Sequence, residues 1–145
     1  MKNYCVADLE ANGLLTEATK VHCICWVDSD GTEHSETNIL RALSWLDTYE
    51  CVVFHNGCGY DLPLLKRLYG WEPQGFHDTA IMSRLIDPDR KGGHSIEMWG
   101  EYFGEEKQGK DITDWSVLTD EMLTRCLVDA RIGWKVFEKL KKEML

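Results

Sequence analysis

Asp8 and Glu10 stand one residue apart at the end of an otherwise apolar run, Tyr4-Cys5-Val6-Ala7-Asp8-Leu9-Glu10. Alternation along a strand puts residues two apart on one face, so both carboxylates project together. An Asp-x-Glu by itself reads as solvated surface acid. Apolar neighbours make this strand interior, and carboxylates taken out of water need cations, for which divalent metal is the simplest solution. Asp61 opens a predicted helix just after His55-Asn56-Gly57, and Asp129 sits among Leu127, Val128 and Ala130 in a C-terminal helical run. Four such acids suit a pair of divalent ions gripping a phosphodiester, and the chemistry indicated is its hydrolysis.

The elements that must position these acids follow from periodicity. Tyr4 to Leu9 and Val21 to Asp28 are predicted strands, with a return segment near Thr32 to Ser35 after the Ser29-Asp30-Gly31 turn. Ile39, Leu40, Leu43 and Leu46 recur at helical spacing between Asn38 and Tyr49, with Thr37 or Asn38 as N-cap. The wholly apolar run Cys51 to Phe54 predicts a strand buried on both faces. A strand, helix, strand order implies a crossover onto a partly parallel sheet. Helices are predicted over Asp61 to Tyr69, Thr79 to Leu85 and Ser95 to Phe103, with a short segment at Phe76-His77-Asp78. The breakers and charges from Asp87 to Gly93 predict a loop. Thr119 is placed to cap the last helix, where Leu123, Leu127, Ala130, Trp134 and Phe137 form an apolar stripe. Beside it Met122, Arg125, Asp129 and Gly133 share a face, and Gly133 would let that face approach a sheet closely.

At 145 residues the chain has room for one domain, and a domain of that size buries roughly 68–70% of its unfolded surface. The N-terminus carries no signal-peptide pattern, and no apolar run approaches the roughly 18 residues of a membrane span. A cytoplasmic protein with no membrane association is the expectation. Six dispersed cysteines read as reduced, structural thiols, and His22-Cys23-Ile24-Cys25 lacks zinc-finger spacing. A net charge of −9 excludes a protein that coats duplex DNA through many phosphate contacts. It leaves room for an enzyme that grips a few nucleotides through cations held on its acids. The six tryptophans are assigned to the core.

Asp8 to Leu15, His55 to Pro63, Asp78 to Leu85, Gly93 to Gly100 and Asp129 resemble, in that order, the proofreading domain of phage DNA polymerases of the polymerase I type. That domain belongs to the four-carboxylate (DEDD) exonucleases of the RNase H-like superfamily. The resemblance spans nearly the whole chain and implies an α/β fold: an antiparallel meander followed by parallel strands, flanked by helices. Residues 1–145 would be one freestanding exonuclease domain. The implied activity is metal-dependent 3′-5′ hydrolysis of single-stranded DNA or RNA, with two Mg2+ or Mn2+ ions. Asp8 would bridge both ions, Glu10 and Asp129 would complete the site of the water-activating ion, and Asp61 would serve the second. Leu14, six residues after Asp8, would wedge against the terminal base, while Asn12, His55 and Asn56 would touch sugar or phosphate. Implied partners are single-stranded 3′ ends and a replication or polymerase protein, and the expected state is a monomer.

One position departs from the family. Its members carry a tyrosine four residues before the last aspartate or a histidine five before, and this chain has Arg125 and Thr124 there. Arginine stays protonated and cannot act as a base. Arg125 is therefore expected to bind the scissile or a neighbouring phosphate, or the charge developing on it, with a simple surface ion pair as the alternative. His94 is a candidate substitute proton acceptor, against a plain helix-cap role. A catalytically weak nucleic-acid-binding module is the competing functional class, and its motive is the same missing residue.

Overall fold

The computed structural model describes residues 3–106 and 108–144. Five strands form a mixed sheet in the order β3-β2-β1-β4-β5. They are β1 (Tyr4–Ala11), β2 (Val21–Asp28), β3 (Glu33–Glu36), β4 (Cys51–Phe54) and β5 (Phe76–Asp78). β1 pairs antiparallel with β2, and β2 with β3, while β1/β4 and β4/β5 are parallel. The helices are α1 (Ile39–Leu46), α2 (Asp61–Tyr69), α3 (Thr79–Ile86), α4 (Ile96–Phe103) and α5 (Asp120–Met144). This is the α/β mixed sheet that the sequence predicts. The return strand lies one residue later, and the first helix stops at Leu46, where Thr48 Oγ1 donates to the Trp45 carbonyl.

β1 divides its side chains between two layers because successive residues point to opposite faces. Cys5, Ala7, Leu9 and Ala11 pack with Leu43 and Leu46 of α1 and Leu64 and Leu65 of α2. Tyr4 and Val6 pack on the other side with Met82 of α3, Trp99 of α4 and Ile132, Val136 and Phe137 of α5. Asp8 and Glu10 continue this second face. β2 is buried over nearly its whole length, so Cys23 and Cys25 are core residues beside Cys126 and Ala130 rather than metal ligands of a finger. All six cysteines are free thiols. No helix among the described residues is long and apolar enough to cross a membrane.

The apolar stripe of α5 is broader than predicted. Met122, Cys126, Ala130, Gly133, Phe137 and Leu140 are buried, whereas Leu123, Leu127 and Trp134 are only half-buried. The helix lies across both β1 and β2 and is flanked by α3 and α4, which covers more than one face of it. Thr119 caps it as predicted, accepting from Met122 N–H at 3.2 Å.

Candidate active site

α5 runs against β1 with a regular correspondence, two strand residues for every four helix residues. The Tyr4 and Phe137 rings are 4.9 Å apart. A Cβ at Gly133 would stand 3.1 Å from Val6 Cγ1. Cys126 Sγ donates to the Asp8 carbonyl at 3.3 Å, and Arg125 Nε lies 3.4 Å from Glu10 Oε1. Two strand residues advance about 6.6 Å and four helical residues about 6 Å, so the two ladders stay nearly in step. Asp129 therefore falls opposite Asp8, one helical turn from the close approach at Gly133. Carboxylate oxygens of Asp8, Glu10 and Asp129 lie within 4.8 Å of one another.

The fourth acid, Asp61, is the first residue of α2 and is 4% exposed. It stands outside that trio, yet its charge helps raise the Asp8 carboxyl. Asn56 turns the chain at φ 61°, and Gly57 fits only because a Cβ there would meet Phe54 Cβ at 2.6 Å. Asp78 fastens this turn. Its buried carboxylate accepts from Asn56 N–H at 2.8 Å and Cys58 N–H at 3.1 Å while capping α3 through Ala80 N–H at 2.9 Å. Sequence reasoning assigned Asp78 no role, although an aspartate just ahead of Thr-Ala-Ile at a helix start is a capping signal.

Beside the acids opens a cleft of about 440 Å³ whose lining includes Glu10, Gly13, Leu14, Tyr60, Trp115 and Arg125. Leu14 is 70% exposed at its mouth. The loop carrying it is pinned: Tyr60 Oη donates to the Gly13 carbonyl at 2.7 Å, and Arg67 donates to the carbonyls of Leu15 and Ala18. Asn12 also lines the cleft, but its Oδ1 accepts from the N–H groups of Thr19 and Lys20 and its amide donates to Thr19 Oγ1. Its polar atoms hold the loop. His55 is similarly engaged, with Nδ1 2.8 Å from Thr79 Oγ1 and Nε2 2.6 Å from the His94 carbonyl. Burial pushes its pKa down, so the ring is neutral; a carbonyl only accepts, which puts the proton on Nε2. Asn56 is exposed at the turn.

Trp115 is a cleft residue that the assignment of tryptophans to the core missed. The pairing of β1 and β2 slips between Glu10 and Ala11, and Nε2 of His22, beside the slip, meets the Trp115 carbonyl at 2.7 Å. A bulge of this kind re-aims a side chain, here toward the loop that forms the far wall of the cleft. Trp99 is core as expected, with the Arg90 guanidinium 3.7 Å above its ring. The His94 ring is occupied by Ser83 Oγ at 2.6 Å, a clip between the 87–95 loop and α3.

Arg125 pairs with nearby acids, and these are the largely buried Glu10 and Asp129 rather than surface ones. Its Nε lies 3.4 Å from Glu10 and 3.9 Å from Asp129, and the contact is ionic because that nitrogen is buried without a directed hydrogen bond. Burial raises the Glu10 carboxyl to about 8, Arg125 offsetting part of the rise and Asp129 adding to it. Asp8 and Asp61 are also pushed well up, first by burial. One guanidinium thus leaves these acids under-neutralised. Hard carboxylate oxygens converging within 4.8 Å and short of positive charge suit divalent Mg2+ or Mn2+.

The chain belongs to the 3′-5′ exonuclease family, whose model matches residues 3–145. The family works with divalent metal ions, and Asp8, Glu10 and Asp129 form a group that could hold one. The DNA-directed DNA polymerase of Escherichia phage T7 is 29% identical over 183 aligned positions, covering 93% of this chain and 26% of the polymerase. The chain thus spans about a quarter of the length of the curated relatives it matches. Among solved structures, Brucella melitensis NrnC superposes with a TM-score of 0.74 at 20% identity, over 98% of this chain and 74% of that one. NrnC forms with bound Mg2+ and with bound pGG give 0.72 and 0.73. Escherichia coli RNase D, an exoribonuclease, gives 0.72 at 19% identity, over 97% of this chain and 39% of that one. These likenesses show the shared RNase H-like fold.

Proposed function

We propose that this chain, folded as one domain, removes nucleotides from the 3′ end of single-stranded nucleic acid by two-metal hydrolysis, releasing nucleoside monophosphates. The observation that carries this reading is the convergence of Asp8, Glu10 and Asp129 within 4.8 Å at the edge of a cleft bearing an exposed leucine. Bound divalent ions supply activation of water and stabilisation of the entering and leaving oxygens of an in-line displacement. Asp8 would serve both ions, with Glu10 and Asp129 completing the site of one and Asp61 serving the other.

The cleft volume lies within the range of ~300–1,000 Å³ common to small-ligand sites, enough for a terminal nucleotide. Leu14 separates the terminal base from its neighbour, and Trp115 offers an aromatic wall beside it. Asn12 and His55 act by fixing the loop and the turn, and exposed Asn56 is left to meet the strand. The pGG bound by NrnC supports a short single-stranded substrate. The acidic surface supports a short grip and distributive action at a 3′ end presented by another protein, such as a polymerase.

Digestion of 5′-labelled single-stranded DNA and RNA of matched sequence tests this, with Mg2+, Mn2+ or EDTA. A ladder shortening from the 3′ end, dependent on metal and lost in Asp8→Ala and Asp129→Ala, is the expected result; the faster substrate identifies the sugar. No cleavage in either metal would overturn the reading in favour of a binding module.

A further inference from the structure

Arg125 stands where the resembled family carries its tyrosine, and the register of α5 on β1 fixes what it faces. With Tyr4 against Phe137 and Val6 against Gly133, residue 125 falls opposite Glu10. Its guanidinium is held there from several sides. Nε approaches Glu10 at 3.4 Å and Asp129 at 3.9 Å. The Trp115 ring lies 5.4 Å from Cζ, and the loop backbone at Gly109 is so close that a Cβ there would meet Arg125 Cδ at 2.7 Å. Gly109 has φ 72°, which favours glycine further. Loop and helix together seat a cation on two of the three converging carboxylates.

We propose that Arg125 is a built-in counter-cation of the metal site, occupying the Glu10 and Asp129 carboxylates until a divalent ion displaces it. This rests on the reading of Asp8, Glu10 and Asp129 as metal ligands. A guanidinium beside a divalent ion on the same carboxylate is a like-charge contact in a half-buried site, where screening is weak. With Arg125 Nε already 3.4 Å from Glu10 Oε1, an ion taken up by that carboxylate would stand against the guanidinium. Room for the displaced side chain exists on both sides, in the 440 Å³ cleft and in a second pocket of about 160 Å³ that Arg125 also lines. The guanidinium therefore lowers metal affinity and stabilises the metal-free protein. A tyrosine or histidine at this place would do neither, since neither carries a fixed charge.

The test is Mn2+ binding, read as free Mn2+ by electron paramagnetic resonance, for the wild type, Arg125→Gln and Arg125→Met, with thermal melting in EDTA. Arg125→Gln and Arg125→Met are expected to bind Mn2+ at least about tenfold more tightly, a tenfold change in Kd being ~1.4 kcal/mol, and to melt lower in EDTA. Arg125→Lys, which keeps the charge, should stay near the wild type. Equal or weaker Mn2+ binding by the neutral variants, with far-UV circular dichroism unchanged, would overturn the role of Arg125 while leaving the metal site standing. If neither the wild type nor the neutral variants bind Mn2+ in a manner abolished by Asp129→Asn, the site itself is wrong.

Discussion

A carboxylate withdrawn from water resists ionisation, and Glu10 shows the consequence. Burial chiefly raises its folded pKa from the ordinary 4.5 to about 8. Over that window the folded state holds more protons than the unfolded one, so stability falls as pH rises from 4.5 to 8. Asp8 and Asp61, raised by burial and by each other's neighbours, act in the same direction. In EDTA the melting temperature should therefore drop between pH 5 and 8, and the drop should be smaller in Glu10→Gln. Millimolar Mg2+ or Mn2+ should remove most of it, because a ligand of the native carboxylates stabilises the ionised form. A pH-independent melt in EDTA would show that these acids are solvated. That Asp8, Glu10 and Asp129 come together was legible from residue types and neighbours. The occupation of Asn12 and His55 by internal partners was not, since Thr19, Lys20, Thr79 and the His94 carbonyl come from other segments.

Among the elements, the contact of α5 with β1 governs the site. Gly133 is the point of closest approach, and a Cβ there already stands 3.1 Å from Val6 Cγ1. Gly133→Val would force the helix off the strand and carry Asp129, one turn away, from Asp8. We expect a loss of about 1–3 kcal/mol in urea melts, the usual range for overpacking, together with weaker Mn2+ binding. Unchanged Mn2+ affinity would mean that Asp129 is positioned by something other than this register. The helical spacing of Arg125, Asp129 and Gly133 showed which residues share a face. It could not show how widely α5 is covered, because Leu123 and Leu127 have the same periodic signature as the buried positions, and only the placement of β2, α3 and α4 separates them.

At the level of the whole molecule, β1 supplies alternate residues to both helical layers, so neither layer keeps its floor if the other opens. A single cooperative urea transition, with the same midpoint by tryptophan fluorescence and far-UV circular dichroism, is the expected behaviour of residues 1–145 as one domain. Two separated transitions would contradict it. The amino-acid sequence by itself determined the α/β class, nearly every element and the family, because periodicity and ordered motifs are local properties carried by neighbouring residues. Tertiary structure alone decided that Trp115 walls the cleft, that Asp78 fastens the Asn56 turn, and that Arg125 faces Glu10 rather than solvent. Each depends on how strand and helix rises fall into step or on a slip in strand pairing. Those are distances between segments far apart in the chain, which no local pattern encodes.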